Sequence, residues 1–358
     1  MHIMAQLFTP ILLRDTEIKN RIFVAPMCQY SAENGLANHW HLVHLGGLAV
    51  GGAGLVMVEA TAVSPEGRIT PKCLGLWSPQ HAEALKPVVD FLRSQGATPA
   101  IQIGHAGRKA SCDVPWRDSH FLSADQGGWQ TVAPSAIPVT PQHAVPIALD
   151  KDGIKEISAQ FHAAAERALA IGFEVLELHC AHGYLLHEFL SPLSNQRTDE
   201  YGGSLENRCR LVLEIARDLR ALWPADKPML VRISATDWVE GGWDIEQSIQ
   251  LSRWLKDLGI DLIDCSSGGL VLDAKIPAGP GYQTVFAERI RKEAGIASGA
   301  VGIITSALQA EHILATGQAD VILLARVLLS DPHWPMRAAK ELHVDLPWPD
   351  QYVRAKHL

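Results

Sequence analysis

The chain has 358 residues, of which 47% are hydrophobic and 20% charged, and its formal net charge is −8 at pH 7. These values are typical of a folded globular protein that is long enough for one large α/β barrel or two medium domains. The acidic balance, with no concentrated run of Lys and Arg, argues against a nucleic-acid or anionic-membrane surface and leaves small-molecule chemistry as the expected activity.

Short apolar runs rich in β-branched residues alternate with longer amphipathic stretches along the chain, a pattern typical of βα units around a parallel sheet. Residues 7–21 come first and predict a short hairpin that plugs the bottom of a barrel. The strand candidates follow at residues 22–25, 55–60, 99–103, 175–178, 229–233, 262–265, 300–304 and 321–325. Eight such units predict a TIM (β/α)8 barrel.

Two of the intervening helices carry start and stop signals. Ser78 precedes a helix predicted over residues 81–94 and Gly96 follows it, while Ser204 precedes one over residues 208–222 with Pro224 beyond. Residues 108–146 separate the third strand from its helix and are rich in Pro, Gly, Asp and Trp. Because active sites of such barrels lie at the strand carboxyl ends, this insertion predicts a lid or pocket wall. We therefore expect one domain over residues 1–358.

The cysteines and the N-terminus indicate the compartment. Six cysteines are scattered without a Cys-x-x-Cys pair, which argues against a disulfide framework or a zinc knuckle. The N-terminus lacks a basic start followed by an apolar core, and no apolar stretch is long enough to span a bilayer. These features predict a cytoplasmic protein that does not enter a membrane.

The most informative stretch is His179-Cys-Ala-His182-Gly-Tyr184, which directly follows the fourth predicted strand. Two imidazoles and a phenol at a strand end can converge on one ligand atom, so the stretch indicates a binding or catalytic site. Two satisfied histidines beside a packing tyrosine would be the structural alternative. The long polar, turn-forming run over residues 191–203 favours the site, since a structural strand exit would not need it.

Other predicted strand ends bring further candidates to the same rim of the barrel. They are Ala25-Pro26-Met27-Cys28-Gln29-Tyr30, Glu59-Ala60-Thr61, Gln102 followed by His105 to Lys109, Arg232, Gly302-Ile303, and Ala325-Arg326. This collection resembles the old yellow enzyme family of FMN-dependent ene-reductases. The resemblance runs from Leu7-Phe8 to Tyr352-Val-Arg354, with the motifs in the family's order. Because of Cys28 and His182, the chain looks most like the family's bacterial branch of xenobiotic reductases and NADPH dehydrogenases.

The resemblance implies tightly but non-covalently bound FMN. Gln102 would bond the flavin pyrimidine edge, for which an amide offers both donor and acceptor, and Arg232 would stabilise the negative charge of the reduced ring. Contacts to the ring are also implied for Ala25, Pro26, Met27, Cys28 and Ala60. Cys28 would tune the flavin potential, although a free cysteine is often only a small buried hydrophobe.

The phosphate of FMN is expected at the ends of the last two strands. The resemblance implies backbone N–H groups of Gly302 and Ile303 and a charged contact from Arg326, for which an ion pair with Asp331 is the alternative. Ala325 stands where relatives commonly have glycine, so a backbone position expected to adopt positive φ carries a Cβ here.

The implied reaction is reduction of activated C=C bonds in enones, enals and nitro compounds, with NADPH as reductant and NADH as an alternative. Hydride would pass from reduced flavin N5 to the β-carbon while His179 and His182 hold the substrate oxygen and Tyr184 delivers a proton. Tyr30 would donate a hydrogen bond to the substrate or form one wall of its pocket. Lys109 and Arg108 could steer the nicotinamide cofactor or contact the flavin region, unless they are merely solvated surface.

The resemblance also implies a homo-oligomer, a dimer or tetramer, in which the C-terminal tail brings Arg354 to the neighbouring subunit's substrate site. A frayed terminus is the ordinary alternative.

Three other functions stay open at this point. A metal-dependent hydrolase could use His179 and His182 with His105 or Glu177, but the remaining acidic ligands are not obvious and the Arg232 cation is nearby, so we expect no metal. The others are a non-catalytic flavin-binding protein and a sugar- or amine-directed FMN oxidoreductase. The longer relatives of that last kind carry an iron–sulfur cysteine cluster that this chain lacks.

Overall fold

A hairpin opens the fold in a computed structural model that describes residues 5–356. β1 (Ile11–Leu13) pairs antiparallel with β2 (Thr16–Ile18). Its buried side chains pack against inward-facing residues of the barrel such as Leu230 and Leu262, forming one apolar cluster. The hairpin therefore closes the amino-terminal end of the barrel, as the sequence predicted.

The other strands are β3 (Ile22–Val24), β4 (Leu55–Ala62), β5 (Thr98–Gly104), β6 (Val132–Ala133), β7 (Ile147–Ala148), β8 (Val175–Cys180), β9 (Met229–Ser234), β10 (Leu262–Ser266), β11 (Ala297–Ala300) and β12 (Val321–Leu324). β6 and β7 form a separate parallel pair, and the other eight close into a parallel barrel in which β12 pairs with β3. β8 and β9 are buried at every residue, as expected for parallel strands covered on both faces. The predicted TIM barrel is confirmed.

Helices cover the outside of the barrel. They are α1 (His39–Val50), α2 (Pro79–Ser94), α3 (Lys151–Ala170), α4 (Leu185–Leu190), α5 (Leu205–Leu222), α6 (Ile245–Asp257), α7 (Thr284–Arg289), α8 (Ala307–Ala315), α9 (Arg326–Ser330) and α10 (Trp334–Glu341). α2 begins at Pro79, two residues before the predicted start, because proline is tolerated in a first helical turn. α5 begins three residues early, since the Ser204 hydroxyl accepts the Asn207 N–H and caps the helix there.

The seventh predicted strand is misplaced. The structure puts β11 at Ala297–Ala300, whereas the apolar run had suggested residues 300–304. Gly302 and Ile303 have φ values of 125° and 52°, far from the negative values of a regular strand, so the strand does not continue there. The small residues of β11 have weak strand propensity, and pairing with β10 and β12 holds them in place.

The barrel interior is layered because alternate residues of each strand point inward. Apolar residues including Val175 and Leu230 fill the lower layer with the hairpin. The next inward positions of four adjacent strands are polar: Gln102, Glu177, Arg232 and Asp264. His179, Ser234 and Ser266 follow at the carboxyl ends of their strands. The fold therefore delivers polar side chains to one end of an otherwise apolar barrel.

The segment between β5 and α3 contains short 3-10 turns at Gly107–Lys109, Pro115–Arg117 and Ala124–Gln126 together with β6 and β7. Trp116 of this segment is 66% exposed and its ring meets Tyr30 edge-on at 5.9 Å. No helix within residues 5–356 is long and apolar enough to cross a membrane.

Candidate active site

Three rings meet at the turn between β8 and α4. The His179 centroid lies 5.2 Å from that of His182 and 5.1 Å from that of Tyr184, and the third pair is 6.5 Å apart, all edge-to-face. His182 has φ 60° and Gly183 φ 73°, so the backbone reverses sharply between the two outer rings. The structure thus brings together the three side chains that the sequence singled out.

Both imidazoles are neutral near pH 7. Burial, followed by the positive charge of Arg232, lowers the pKa of His179 and of His182 well below 6.5. His179 Nδ1 accepts the Ala181 N–H at 3.3 Å, which leaves the ring proton on Nε2. Ser266 Oγ lies 2.7 Å from His182 Nε2, so a hydroxyl that donates there leaves the His182 proton on Nδ1. Each ring then keeps one N–H for a ligand.

A buried pair behind the turn fixes its backbone. His187 Nδ1 accepts the Gly183 N–H at 2.9 Å, and His187 Nε2 faces Asp237 Oδ1 at 3.0 Å. Both side chains are fully buried. The other Asp237 oxygen accepts bonds from the Ser191 hydroxyl at 2.6 Å and the Trp243 N–H at 2.7 Å. The orientation of the three-ring turn therefore depends on a series of polar contacts that extends to residues more than 50 positions away in the chain.

Lys109 is held over this turn. Its ammonium donates to the carbonyls of His182 and Gly269 at 2.9 and 2.8 Å and lies 5.4 Å from the Tyr184 ring centroid. Burial lowers the pKa of Lys109 to about 8, and burial raises the pKa of Tyr184 well above its usual 10. Tyr184 is therefore a protonated phenol with a cation against its ring.

The loop after β3 carries the next candidates. Ala25 is buried, while Pro26, Met27, Cys28 and Tyr30 are partly exposed. Burial raises the pKa of the Cys28 thiol well above 9, with a smaller contribution from Glu59, so the thiol is protonated.

The same loop is anchored by a carboxylate. Glu59 Oε2 accepts the Gln29 N–H at 3.1 Å, and its other oxygen lies 3.5 Å from His41. Tyr30 adopts φ 49°, which turns its ring toward Trp116. Ala60, the next residue after Glu59, is partly exposed at the rim.

A cavity of about 730 Å³ opens between the ends of β10, β11 and β12. His182, Ser266, Gly302, Ile303, Ala325 and Arg326 are among the residues that line it. This volume is in the range of cofactor pockets. Arg326 is exposed, and Asp331 pairs with Arg337, so the predicted alternative of an Arg326–Asp331 pair is not formed.

The expectation for Ala325 was wrong. Its φ is −120°, so the Cβ meets no left-handed backbone there. The positive φ values of this region fall instead on Gly302 and Ile303.

One layer below the rim, inside the barrel, the side chains of Gln102 and Arg232 are 1% and 7% exposed. Arg232 Nε lies 3.0 Å from Asp264 Oδ2, yet within residues 5–356 neither atom has a well-aligned hydrogen bond. A buried cation and a buried amide below a large cavity fit the electron-rich pyrimidine edge of a flavin.

The tail is the exception, since it does not reach this site. Arg354 is exposed in the 3-10 segment Asp350–Ala355, where the neighbouring Tyr352 ring packs 5.8 Å from His333. Of the residues that the structure describes, no three His, Cys, Asp or Glu side chains are arranged to hold a metal ion.

A cofactor-sized cavity at the carboxyl end of a (β/α)8 barrel, with a cation and an amide below it and neutral imidazoles beside it, defines the class of flavin-dependent barrel oxidoreductases. Comparison with known proteins agrees. Residues 6–345 match the model of the NADH:flavin oxidoreductase / NADH oxidase family, and the chain belongs to that family.

Individual relatives are similar over nearly the whole chain. It is 48% identical to the NADPH dehydrogenase of Bacillus velezensis over 352 residues, covering 98% of this chain and 99% of that protein. The old yellow enzyme homologue from Zymomonas mobilis superposes with a TM-score of 0.78 at 26% identity, over 98% and 96% of the two chains. A 2-naphthoyl-CoA reductase superposes with a TM-score of 0.86 at 25% identity, but the match covers 94% of this chain and 52% of that one. The resemblance to the old yellow enzyme family is confirmed.

Sequence reasoning missed four contributors, Ser266, His187, Asp237 and Asp264, and it considered Glu177 only as a metal ligand. Ser266 could have been found, because it directly follows the sixth predicted strand, over residues 262–265, at the same rim. The His187–Asp237 pair carries no local signal, since only the fold brings its two members together.

Proposed function

We propose that this chain is an NADPH dehydrogenase that binds FMN non-covalently and reduces activated C=C bonds. The observation that carries the proposal is the three-ring cluster of two neutral imidazoles and one protonated phenol. The cluster borders a large cavity at His182, and the strands below it carry a buried cation and a buried amide. When bound, FMN supplies the hydride carrier between NADPH and the alkene.

The residues that would hold FMN divide between the two ends of the site. Gln102 and Arg232 would bind the pyrimidine edge, with Ala25, Pro26, Met27, Cys28 and Ala60 against the ring. The backbone of Gly302 and Ile303, together with Ala325 and Arg326 at the start of α9, would bind the phosphate, since they line the cavity beside β12.

The two imidazoles would hold and polarise the substrate. With ring protons on His179 Nε2 and His182 Nδ1, both can donate to one carbonyl or nitro oxygen and stabilise the charge that develops there. Neutral rings suit this role because each needs only one N–H. Tyr30 would bound the substrate from the lid side, together with Trp116.

Tyr184 would deliver the proton to the α-carbon. Its raised pKa keeps the phenol protonated at neutral pH, and the Lys109 ammonium beside the ring would stabilise the negative charge that proton donation leaves. Lys109 is bonded to two backbone carbonyls, which assigns it to this turn rather than to a solvated surface.

Single-turnover kinetics of Tyr184→Phe would test the proton donor. We expect oxidation of the reduced enzyme by 2-cyclohexenone to slow by about 10²–10⁴-fold, whereas reduction by NADPH keeps its rate and FMN stays bound. Tyr201→Phe is the matched control, because that phenol bonds Glu214 away from the rim. An unchanged rate in Tyr184→Phe would require another proton donor.

The tail and the oligomer belong to the same proposal. We propose a homo-oligomer in which Arg354 reaches a neighbouring subunit's substrate site, since the tail is exposed and does not contribute to its own. Light scattering with purified protein would give the subunit number, and Arg354→Ala should raise the Michaelis constant for substrate. A monomer that retains full activity would contradict this arrangement.

A further inference from the structure

The interior of the barrel contains a polar layer of four side chains: Gln102, Glu177, Arg232 and Asp264. Gln102 and Glu177 are direct neighbours across β5 and β8, and Arg232 and Asp264 across β9 and β10. Gln102 Nε2 donates to Glu177 Oε1 at 2.8 Å, and Arg232 Nε lies 3.0 Å from Asp264 Oδ2. Glu177 and Asp264 are fully buried. Two carboxyl groups are thus placed against the two side chains that would contact the flavin.

Such a layer is unfavourable for stability. Branched apolar residues usually fill the interior of these barrels, and burying a carboxyl costs free energy unless it is fully paired. Within residues 5–356, Glu177 Oε2 and both Asp264 oxygens are buried without a hydrogen-bond partner. Replacing a buried ionic set by apolar residues is often neutral or stabilising, so these carboxyl groups are not explained as stabilising contacts.

We propose that Glu177 and Asp264 are positioning residues for the flavin: Glu177 orients the Gln102 amide, and the two carboxyl groups together offset the Arg232 charge and so lower the flavin's reduction potential. The inference rests on the proposed binding of FMN. It concerns residues that do not themselves line the cavity.

Glu177 would act on Gln102 through the direction of one hydrogen bond. Because Glu177 Oε1 accepts a hydrogen bond from the Gln102 amide N–H, the amide nitrogen faces β8. The Gln102 amide oxygen is then free to accept from a ligand donor. The neutral acid accepts this bond through its carbonyl oxygen, and the carboxylate can only accept, so the orientation is the same in both protonation states.

Asp264 would act through charge. A fixed cation near the pyrimidine edge favours the anionic reduced flavin, and a carboxylate 3.0 Å from that cation reduces the effect. Removal of the carboxylate should therefore raise the potential.

The layer also predicts a pH dependence. Burial, and then the charge of Asp264, raises the pKa of Glu177 to about 8, while burial raises the pKa of Asp264 to about 6. The charged groups that face Glu177 are Arg232 from β9 and Asp264 from β10, and β5 contributes only the neutral Gln102. Below about pH 8 Glu177 is neutral and the Arg232 and Asp264 charges balance. Above it, one additional negative charge lowers the potential.

The test is the midpoint potential of bound FMN, measured by dye equilibration at about pH 6.5 and about pH 9, on either side of the Glu177 pKa. Asp264→Asn should shift the oxidised-to-reduced equilibrium about tenfold toward the reduced form at both pH values, which is about 30 mV for a two-electron couple. Glu177→Gln should match the unmodified protein at the lower pH and show a higher potential at the upper one. The matched control is Glu188→Gln, because burial also raises the pKa of Glu188 to about 8. Glu188 lies on α4, outside the layer, where its carboxyl accepts the backbone N–H of Arg108.

Yellow variants whose potentials equal that of the unmodified protein at both pH values would overturn the inference and leave the proposed function intact. If the variants lose FMN, the midpoint potential of the unmodified protein is measured as a function of pH instead. A steeper slope of potential against pH near pH 8 supports a titrating Glu177, and one constant slope overturns the inference. A protein that binds no FMN at all would instead refute the proposed function.

Discussion

Replacing Asp237 by Asn should destabilise the fold strongly, although the new side chain has the same shape. Asp237 is fully buried: His187 Nε2 lies 3.0 Å from one oxygen, and the other oxygen accepts the Ser191 hydroxyl and the Trp243 N–H. An asparagine has one accepting atom and one NH₂ group, so at least one of the three donors must face another donor.

The size of the effect follows from that geometry. A bond to a charged acceptor contributes about 1.5–3 kcal/mol, and removing one partner of a buried pair costs about 3–5 kcal/mol. We therefore expect the free energy of unfolding to fall by about 3 kcal/mol or more. The Gly183 N–H bond to His187 would loosen with it, so phenol binding at the three-ring turn should weaken as well.

Urea unfolding followed by circular dichroism measures the first effect. Asp90→Asn is the control, since Asp90 forms an exposed i,i+4 pair with Lys86 that should contribute at most about 0.5 kcal/mol. A loss below about 1 kcal/mol in Asp237→Asn would refute the view that this carboxylate holds the turn.

Three further changes test other parts of the structure. Burial raises the pKa of Glu188 from 4.5 to about 8, so its folded form keeps a proton that the unfolded chain loses; stability from this group is complete below pH 4.5 and is lost as the pH rises to 8. In urea titrations, the free energy of unfolding of Glu188→Gln should therefore rise relative to that of the unmodified protein by about 1.4 kcal/mol per pH unit across that window. A difference that does not change with pH would contradict the assignment. Ser266→Ala should weaken phenol binding several-fold in a spectral titration, because His182 loses the group that fixes its proton on Nδ1, and an unchanged affinity would show that Ser266 does not select this tautomer. Gly302→Ala should reduce FMN affinity measured by fluorescence, since φ is 125° and a Cβ would lie 2.8 Å from Gln283 Nε2, and unaltered affinity would remove this loop from the phosphate site.

The sequence predicted the barrel because its strands are apolar runs bounded by helix signals, and it predicted the rim because parallel strands end on one side. Residues 300–304 show the limit of that reasoning. An apolar run containing Gly302 reads as a strand, while the true strand of small residues forms only when β10 and β12 pair with it. Strand propensity depends on a segment's own residues, whereas strand pairing depends on neighbouring strands from other parts of the chain.

The same distinction applies to the site. His179, His182 and Tyr184 were visible because they lie within six residues of one another. The Gln102–Glu177 and Arg232–Asp264 contacts depend on strand register, which no single segment specifies. Ser266 and Asp237 reach the turn from later βα units. Sequence reasoning therefore identified the groups that touch a ligand more readily than the groups that orient them.

The absorbance spectrum of the purified protein tests the central claim most directly. We expect a yellow protein that releases FMN on denaturation, is bleached by NADPH without oxygen, and regains its colour on addition of 2-cyclohexenone. A colourless protein that cannot take up added FMN would contradict the account.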